Sequence, residues 1–148
     1  MSYTAGENNI LARIRAHADY SAANTDANDW DLLDSGHDDN YAILRPGPDN
    51  NEIEFISPTV YVVTWVTTIE CWRRYLDDGT TADALFGDVN KIIAQMQPYK
   101  DLGLSYVEVA RIVSITTPSF RWNKDGGPAW MVQEANLAWL EEVEVTYV

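Results

Sequence analysis

The sequence of 148 residues has very little of the chemistry that catalytic sites use. It contains one cysteine, Cys71, and two histidines, His17 and His37. A single cysteine excludes an internal disulfide, and Cys71 falls in the apolar register of a predicted strand, where free cysteines are ordinarily unreactive. Nucleophile-elbow, phosphate-loop, dinucleotide-binding, paired-cysteine and zinc-protease patterns are all missing. We therefore predict that the protein is not an enzyme and has no catalytic residue and no cofactor.

Basic residues are also scarce. Ten Lys and Arg stand against 23 Asp and Glu, which gives a net charge of -13. Such a chain repels phosphates, so the charge argues against nucleic-acid binding and against docking on anionic membranes. No apolar run approaches the roughly 20 residues needed to span a bilayer, and the N-terminal residues do not resemble a signal peptide. We expect no membrane partner.

The acidic residues are concentrated in residues 21–39, which contain no Lys or Arg. The only large apolar side chains there are Trp30, Leu32 and Leu33, so we expect a loop with a short helical turn held by these three. A calcium loop beginning at Asp29 would need Gly at position 34 and Glu at position 40, where the sequence has Asp and Asn. The spacing favours a solvated acidic loop over a metal site. Its acidic residues are Asp26, Asp29, Asp31, Asp34, Asp38 and Asp39.

Residues 60–76 form the longest stretch with β-forming composition, rich in Val, Ile, Thr, Tyr and Trp and without Gly or Pro. The first half is apolar on both faces, which predicts a central strand, and one face turns polar toward Glu70, which predicts an exposed end. A strand of this length would exceed about 50 Å, so we expect a bend or bulge.

The remaining pattern predicts two helices and several antiparallel strands. One helix is predicted over residues 8–20, capped by Asn8 or Asn9, and the other over 81–97, capped by Thr80 or Thr81. Further strands are expected at 41–44, 52–56, 104–116 and 129–148. In the second helix we expect an apolar stripe to pack on the sheet: Leu85, Phe86, Val89, Ile92, Ile93 and Met96. Together these elements predict an α+β fold, an antiparallel or mixed sheet flanked by two main helices, in one domain spanning 1–148 with an acidic insertion at about 21–40.

The order of these elements is similar to that of a known family. A central strand ends in Ile69-Glu70-Cys71-Trp72. A short acidic turn follows, and then a helix with Leu85, Val89, Ile92 and Met96. The C-terminal strand has the form Trp139-x-Glu-Glu-Val-x-Val-x-Tyr. This succession, after a leading helix, resembles the tail terminator (tail completion) proteins of long-tailed bacteriophages over residues 8–20 and 60–148. The acidic segment at 21–40 lies outside that pattern.

The resemblance implies a structural virion protein located at the head–tail junction after assembly in the host cytoplasm. Such proteins form a homo-oligomeric, hexameric ring on the last ring of tail tube protein, stop tube polymerisation and offer the surface for the head–tail connector. DNA passes through the lumen without specific binding, which suits an acidic subunit. Trp72 and Trp130 lie out of register with the apolar face and, with Arg73 and Arg74, are predicted to form the subunit interface. The acidic residues named above are candidates for the lumen or rim.

Two other interpretations fit the same residues. In the first, the chain is another neck or connector protein of the same particle. In the second, it is a small acidic protein that inhibits a basic partner or mimics DNA through residues 26–39. An enzyme is a weaker third interpretation, because it depends only on Cys71 and the two histidines.

Overall fold

A computed structural model describes residues 3–35, 39–47, 51–122 and 128–145, with the side chains of Glu108, Trp122 and Pro128 left undescribed. The fold is α+β, with a mixed sheet and two main helices. The helices are α1 (Tyr3–Arg15) and α2 (Asp78–Met96), and a 3-10 helix spans Trp30–Ser35. The strands are β1 (Thr25–Ala27), β2 (Asn40–Pro46), β3 (Glu52–Ser57), β4 (Val60–Arg74), β5 (Val107–Ile115), β6 (Ser119–Trp122) and β7 (Pro128–Glu144).

Two long antiparallel strands, β4 and β7, form the centre of the sheet. They pair without interruption from Val60 opposite Glu144 to Arg74 opposite Trp130. β2 and β3 lie one after the other along the outer side of β4, and β5 and β6 do the same along β7. β1 adds to β2 as the one parallel pair among the described strands.

Both helices cover one face of this sheet. In α2 the residues at helical spacing, Leu85, Val89, Ile92 and Met96, are at most 1% exposed. They pack with the alternate β4 residues that the sequence predicts for one face, Val63, Trp65, Ile69 and Cys71, and with Ala135, Leu137 and Trp139 of β7. The strand period of two and the helix period of 3.6 therefore meet in the main core, as predicted.

A smaller core lies on the opposite face, beneath the acidic segment. Trp72 is 6% exposed there and packs with Leu33 of the 3-10 helix, and with Tyr41, Ile43 and Val132. The segment 21–39 thus forms β1 and a 3-10 helix. The predicted helical turn is confirmed, and the loop prediction is wrong for residues 25–27.

Both helix starts differ from the sequence prediction. α1 begins at Tyr3 and ends at Arg15. Its first turn is held by the Tyr3 ring, which contacts the rings of Trp65 and Trp139, each with a centroid distance of 5.6 Å. Gly6 lies so close to Trp139 that a Cβ there would approach a ring carbon to 2.7 Å. α2 begins at Asp78 and is capped by Asp77, whose carboxylate accepts from the Thr80 amide. The caps predicted at Asn8, Asn9, Thr80 and Thr81 are wrong.

The strands also correct three expectations. No register shift interrupts the β4–β7 pairing, so the predicted bulge is not in β4; the shifts lie in edge strands instead, between Phe55 and Ser57 of β3, at two places in β5 and between Arg121 and Trp122 of β6. Glu70 is 4% exposed, so the polar end of β4 is buried rather than solvated. Alternation in the sequence predicts one shared face for Val107, Val109, Val113 and Ile115, but the β5 bulges put Ala110 and Ile112 on the core side with Val107, whereas Val109, Val113 and Ile115 are exposed.

The helix α2 offers a matched test of this core. Leu85 is fully buried, whereas Phe86 is 45% exposed, so the predicted burial of Phe86 is wrong. Leu85→Ala should lower the free energy of unfolding by about 2–5 kcal/mol because it leaves a cavity. Phe86→Ala should cost about 1 kcal/mol or less. Urea unfolding of both variants measures the difference, and equal losses would contradict this placement of the helix.

Candidate functional site

The carboxylate of Glu70 organises the face of the sheet opposite the helices. Its Oε1 accepts from the indole nitrogens of Trp30, at 2.7 Å, and Trp72, at 3.3 Å. Its Oε2 accepts from Arg45 Nε at 2.7 Å. Since a buried carboxylate without partners is strongly unfavourable, these three donors are what allow Glu70 to be buried.

Arg45 joins this carboxylate to a second one. Its Nη2 lies 2.9 Å from Glu134 Oε1 on the neighbouring strand β7. Burial on its own lowers the pKa of Arg45, but the bonds to Glu70 and Glu134 outweigh it, so the pKa is raised. The guanidinium stays charged and holds β2, β4 and β7 together across the sheet.

Two tryptophans that the sequence assigns to a subunit interface lie next to this group. The rings of Trp72 and Trp130 meet edge to face at 6.4 Å, and Tyr41 contacts Trp130 in the same way at 5.7 Å. Arg74 lies over the Trp130 ring at 4.6 Å, and Arg121 lies over Trp72 at 5.7 Å. Trp72 is thus enclosed by its own subunit, while Arg74, 45% exposed at its side chain, and the half-buried Trp130 reach the surface.

Arg73 points to the other face and makes a buried ion pair. Its Nε lies 2.6 Å from Asp88 Oδ2 and its Nη2 lies 2.8 Å from Oδ1, which is the two-pronged geometry of strong arginine–carboxylate pairs. Asp88 is 1% exposed. The bonds to Asp88 raise the pKa of Arg73. Arg73 therefore attaches α2 to β4, so reversing its charge would not leave the monomer intact.

The acidic residues predicted for the lumen or rim differ in their surroundings. Asp26 and Asp29 accept from the backbone amides of Ala27 and Asp31, and are used as local turn caps. Asp31 and Asp34 are exposed, and Asp39 lies 3.8 Å from Arg74. Asp38 lies outside the described residues. Assignment of any of these to a lumen stays a prediction.

The groups that a Cys/His mechanism would use do not come together. Cys71 is completely buried; burial raises the pKa of its thiol, and the charge of Asp88 raises it further, so the thiol stays protonated. The sequence places His17 within the predicted helix 8–20, but in the structure it lies in the turn after α1, beside Asp19. His37 lies outside the described residues. Over the described part of the chain, no three His, Cys, Asp or Glu side chains are arranged to hold a metal ion.

Sequence reasoning missed two features of the surface. One is the Glu70 group, because alternation alone cannot tell a solvated carboxylate from one covered by a distant segment. The other is a pair of sheet edges with apolar side chains: in β3 the residues Ile53, Phe55 and Ile56 are 60–64% exposed, and in β5 the exposed residues are Val109, Val113 and Ile115. The out-of-phase isoleucines of β3 were the available signal, since they indicate the bulge at Ile56.

Comparison with protein-family models and with curated proteins finds no match to this sequence. Among the described residues, no helix is long and apolar enough to cross a membrane.

The ion pair between Arg73 and Asp88 gives a direct test with an adjacent control. Arg73→Ala leaves a buried carboxylate unpaired and should cost about 3–5 kcal/mol in the free energy of unfolding. Arg74→Ala removes a half-exposed contact with Trp130 and an exposed ion pair with Asp39, so its cost should be about 1 kcal/mol or less. Denaturant unfolding compares the two variants. Similar small losses in both would show that the pair does not hold α2 to the sheet.

Glu70 and Glu134 form a second matched pair. Glu70→Gln removes the charge that three donors share, and should cost about 2 kcal/mol or more. Glu134→Gln affects one bond to Arg45 at a more exposed site and should cost less. Amide hydrogen exchange should rise in the 3-10 helix for the first variant only, because Trp30 loses its strong acceptor. Unchanged exchange there would mean that Glu70 does not hold the acidic segment.

Proposed function

We propose that this chain is a structural subunit that ends the tube of a long-tailed phage at its head-proximal end. In this proposal the subunits form a ring, with six copies as the resemblance implies, on the last ring of tail tube protein. The ring stops tube growth and presents a surface to the head–tail connector, while DNA crosses the lumen without specific binding. The protein has no catalytic task.

The observation that carries the proposal is the shape of the sheet. β4 and β7 are about 50 Å long at 3.3 Å per residue, and the helices cover only part of this length. Beyond the helical layer, β3 is exposed at every residue from Glu52 to Ile56. Exposed apolar edge strands are unfavourable in an isolated monomer, so the sheet suits a subunit that neighbouring copies complete.

The distribution of charge is consistent with a lumen that does not retain DNA. The chain carries -13 overall, and most described bases already contact groups of their own subunit. Arg45 and Arg73 bind buried carboxylates, and Lys91 lies 2.9 Å from Asp19. Few cations are left to neutralise phosphates, which is what retention of DNA would need.

The contacts within the chain reduce the set of residues that are candidates for the proposed subunit interface. Trp72 and Arg73 have structural roles within the chain, so they are weaker candidates than the sequence suggests. Arg74 and Trp130 stay candidates because they form a cation–π pair that reaches the surface. The aromatic–arginine composition of this pair is typical of interfaces.

The two alternative functions differ in how well the charged residues fit them. A different neck protein of the same particle would share the ring and the charge, and only its position would differ. The acidic inhibitor or DNA mimic has less support, because Asp26 and Asp29 bond to their own backbone and Asp39 lies near Arg74. A mimic would need these carboxylates in a spaced, free array.

Tube assembly tests the proposal. Purified chain added to polymerising tail tube protein of the same particle should stop growth, and electron microscopy should show a ring at one end. Particles assembled without the chain should have tubes of uncontrolled length or tails without heads. Normal tail length and joining in its absence would refute the terminator function.

Arg74→Glu, compared with Lys100→Glu, tests the interface candidate in the same assay. Arg74→Glu should weaken capping, whereas Lys100→Glu should leave it intact because exposed Lys100 is outside the proposed surface. Equal capping by both would remove Arg74 from the interface.

A further inference from the structure

Two edges of the sheet offer unpaired backbone together with exposed apolar side chains. β3 pairs only with residues 60–64 of β4, so its other side is open. β5 pairs with β7, and its other side is open except at Val107 and Ala110, whose amides donate to Leu104 O at 3.2 Å and to Lys100 O at 2.6 Å. The free part of the β5 edge therefore begins at Arg111. Open edges of this kind are templates for pairing with another strand.

The two edges carry opposite charges on the same face of the sheet. Glu52 and Glu54 lie opposite Thr64 and Val62 of β4, on the face away from the helices. Arg111 lies opposite Ala138 on that same face. None of these three charged residues has an ion-pair or hydrogen-bond partner among the described residues. Arg111 differs in this from the other described arginines, all of which contact groups of their own subunit.

The strand directions allow the edges to meet when copies repeat around an axis. β3 runs antiparallel to β4, and β5 runs antiparallel to β7, so β3 and β5 point in opposite directions at opposite edges. Rotation of one copy about an axis along the strands brings its β3 beside β5 of the next, antiparallel and with the same face outward. Such head-to-tail contacts produce rings when the rotation closes.

We propose that the Glu52–Glu54 part of β3 in one copy pairs antiparallel with the Arg111–Val113 edge of β5 in the next copy, so that the sheet continues from subunit to subunit. Glu54 lies opposite Arg111 and Glu52 lies diagonally from it, at distances where cross-strand pairs interact. Glu54 is level with Val62 of β4, and Arg111 is level with Val66, so adjacent copies are staggered by four residues, about 13 Å. Staggered, tilted strands are what closure of a sheet requires.

The second copy is favoured over an unrelated partner because one chain provides both complementary edges. Ile53, which is 60% exposed, and Val113, which is 50% exposed, lie within the paired segments and lose exposure to water in this arrangement. The inference deepens the proposed function by naming the contact that forms the ring, and it depends on that function only for the closed ring.

A charge-swap experiment tests the pairing. Arg111→Glu alone and Glu54→Lys alone each place like charges across the contact, so each should fall from the assembled mass to the mass of one subunit, 16.7 kDa, in sedimentation. Mixed in equal amounts, the two variants should recover the wild-type assembly, because each junction then joins opposite charges. Asp83→Lys, on the exposed side of α2, changes the net charge by the same amount as Glu54→Lys far from the paired segment and should assemble normally.

Mixing also separates a broken contact from a broken fold, since a misfolded variant is not rescued by its partner. The inference is overturned if the wild-type chain stays monomeric at its highest soluble concentration. It is also overturned if either single variant assembles as wild type does, or if the mixture stays monomeric.

A pair of cysteines gives the geometry directly. The double variant with Glu54→Cys and Arg111→Cys should form disulfide-linked multiples under oxidation, because the two positions face each other in neighbouring copies. Glu54→Cys with Asp83→Cys, on the exposed side of α2, is the control and should yield none, and buried Cys71 does not contribute. Equal crosslinking in both would contradict the register.

These results are independent of tube capping. Assembly through β3 and β5 without capping would support the pairing and refute the terminator function. Capping by rings that tolerate both substitutions would do the opposite.

Discussion

The unbroken pairing of β4 with β7 is the constraint on which the rest of the structure depends. Fifteen consecutive residue pairs, from Val60 to Arg74, fix which side chains point to each face, because a shift of one residue would exchange the faces. Trp65 and Trp139 are directly opposite and provide the surface on which Tyr3 and Gly6 of α1 dock. The same pairing sets Glu70 opposite Glu134, where Arg45 binds both.

That placement of like charges explains the form of the acidic segment. Two carboxylates directly opposite each other on a sheet repel, and here Arg45 lies between them at 2.7 Å and 2.9 Å. Glu70 still needs further donors because it is buried, and the indole of Trp30 supplies one from the 3-10 helix. The 3-10 helix is therefore attached to the sheet by this bond, by the contact of the Ser35 and Tyr41 hydroxyls and by Leu33, despite a composition that suggests a solvated loop.

Local patterns in the sequence predicted the elements whose residues repeat in a clear period. The buried stripe of α2 and the alternation of β4 and β7 were predicted correctly because their faces are apolar. Features that depend on contacts distant in sequence were not predictable: the first turn of α1 needs two tryptophans more than 60 residues away. Phe86 continues the apolar stripe of α2, yet its side chain lies beside the part of the helix that contacts the sheet. The stripe alone does not show how far the sheet extends.

The residues predicted for the subunit interface also depend on contacts that are distant in sequence. Trp72 is out of register with the main core, and from sequence this indicates exposure; the structure places it in a second core that the acidic segment closes. Arg73 and Arg74 are neighbours in sequence but lie on opposite faces of β4, with a buried ion pair on one side and a surface cation–π pair on the other. Arg111 has no sequence signal at all, because what distinguishes it from the other arginines is that it has no partner among the side chains that the structure describes.

Copies of a chain with a charge of -13 repel one another, and this limits how they can associate. At physiological salt the Debye length is about 8 Å, so repulsion between most carboxylates of adjacent copies is screened, and short-range contacts decide the outcome. If copies pair as inferred above, the backbone hydrogen bonds along the sheet edge bring no further carboxylates together, and Arg111 faces two glutamates where the edges meet. In that arrangement, strand edges are the surfaces through which an acidic subunit of this kind associates with the least repulsion.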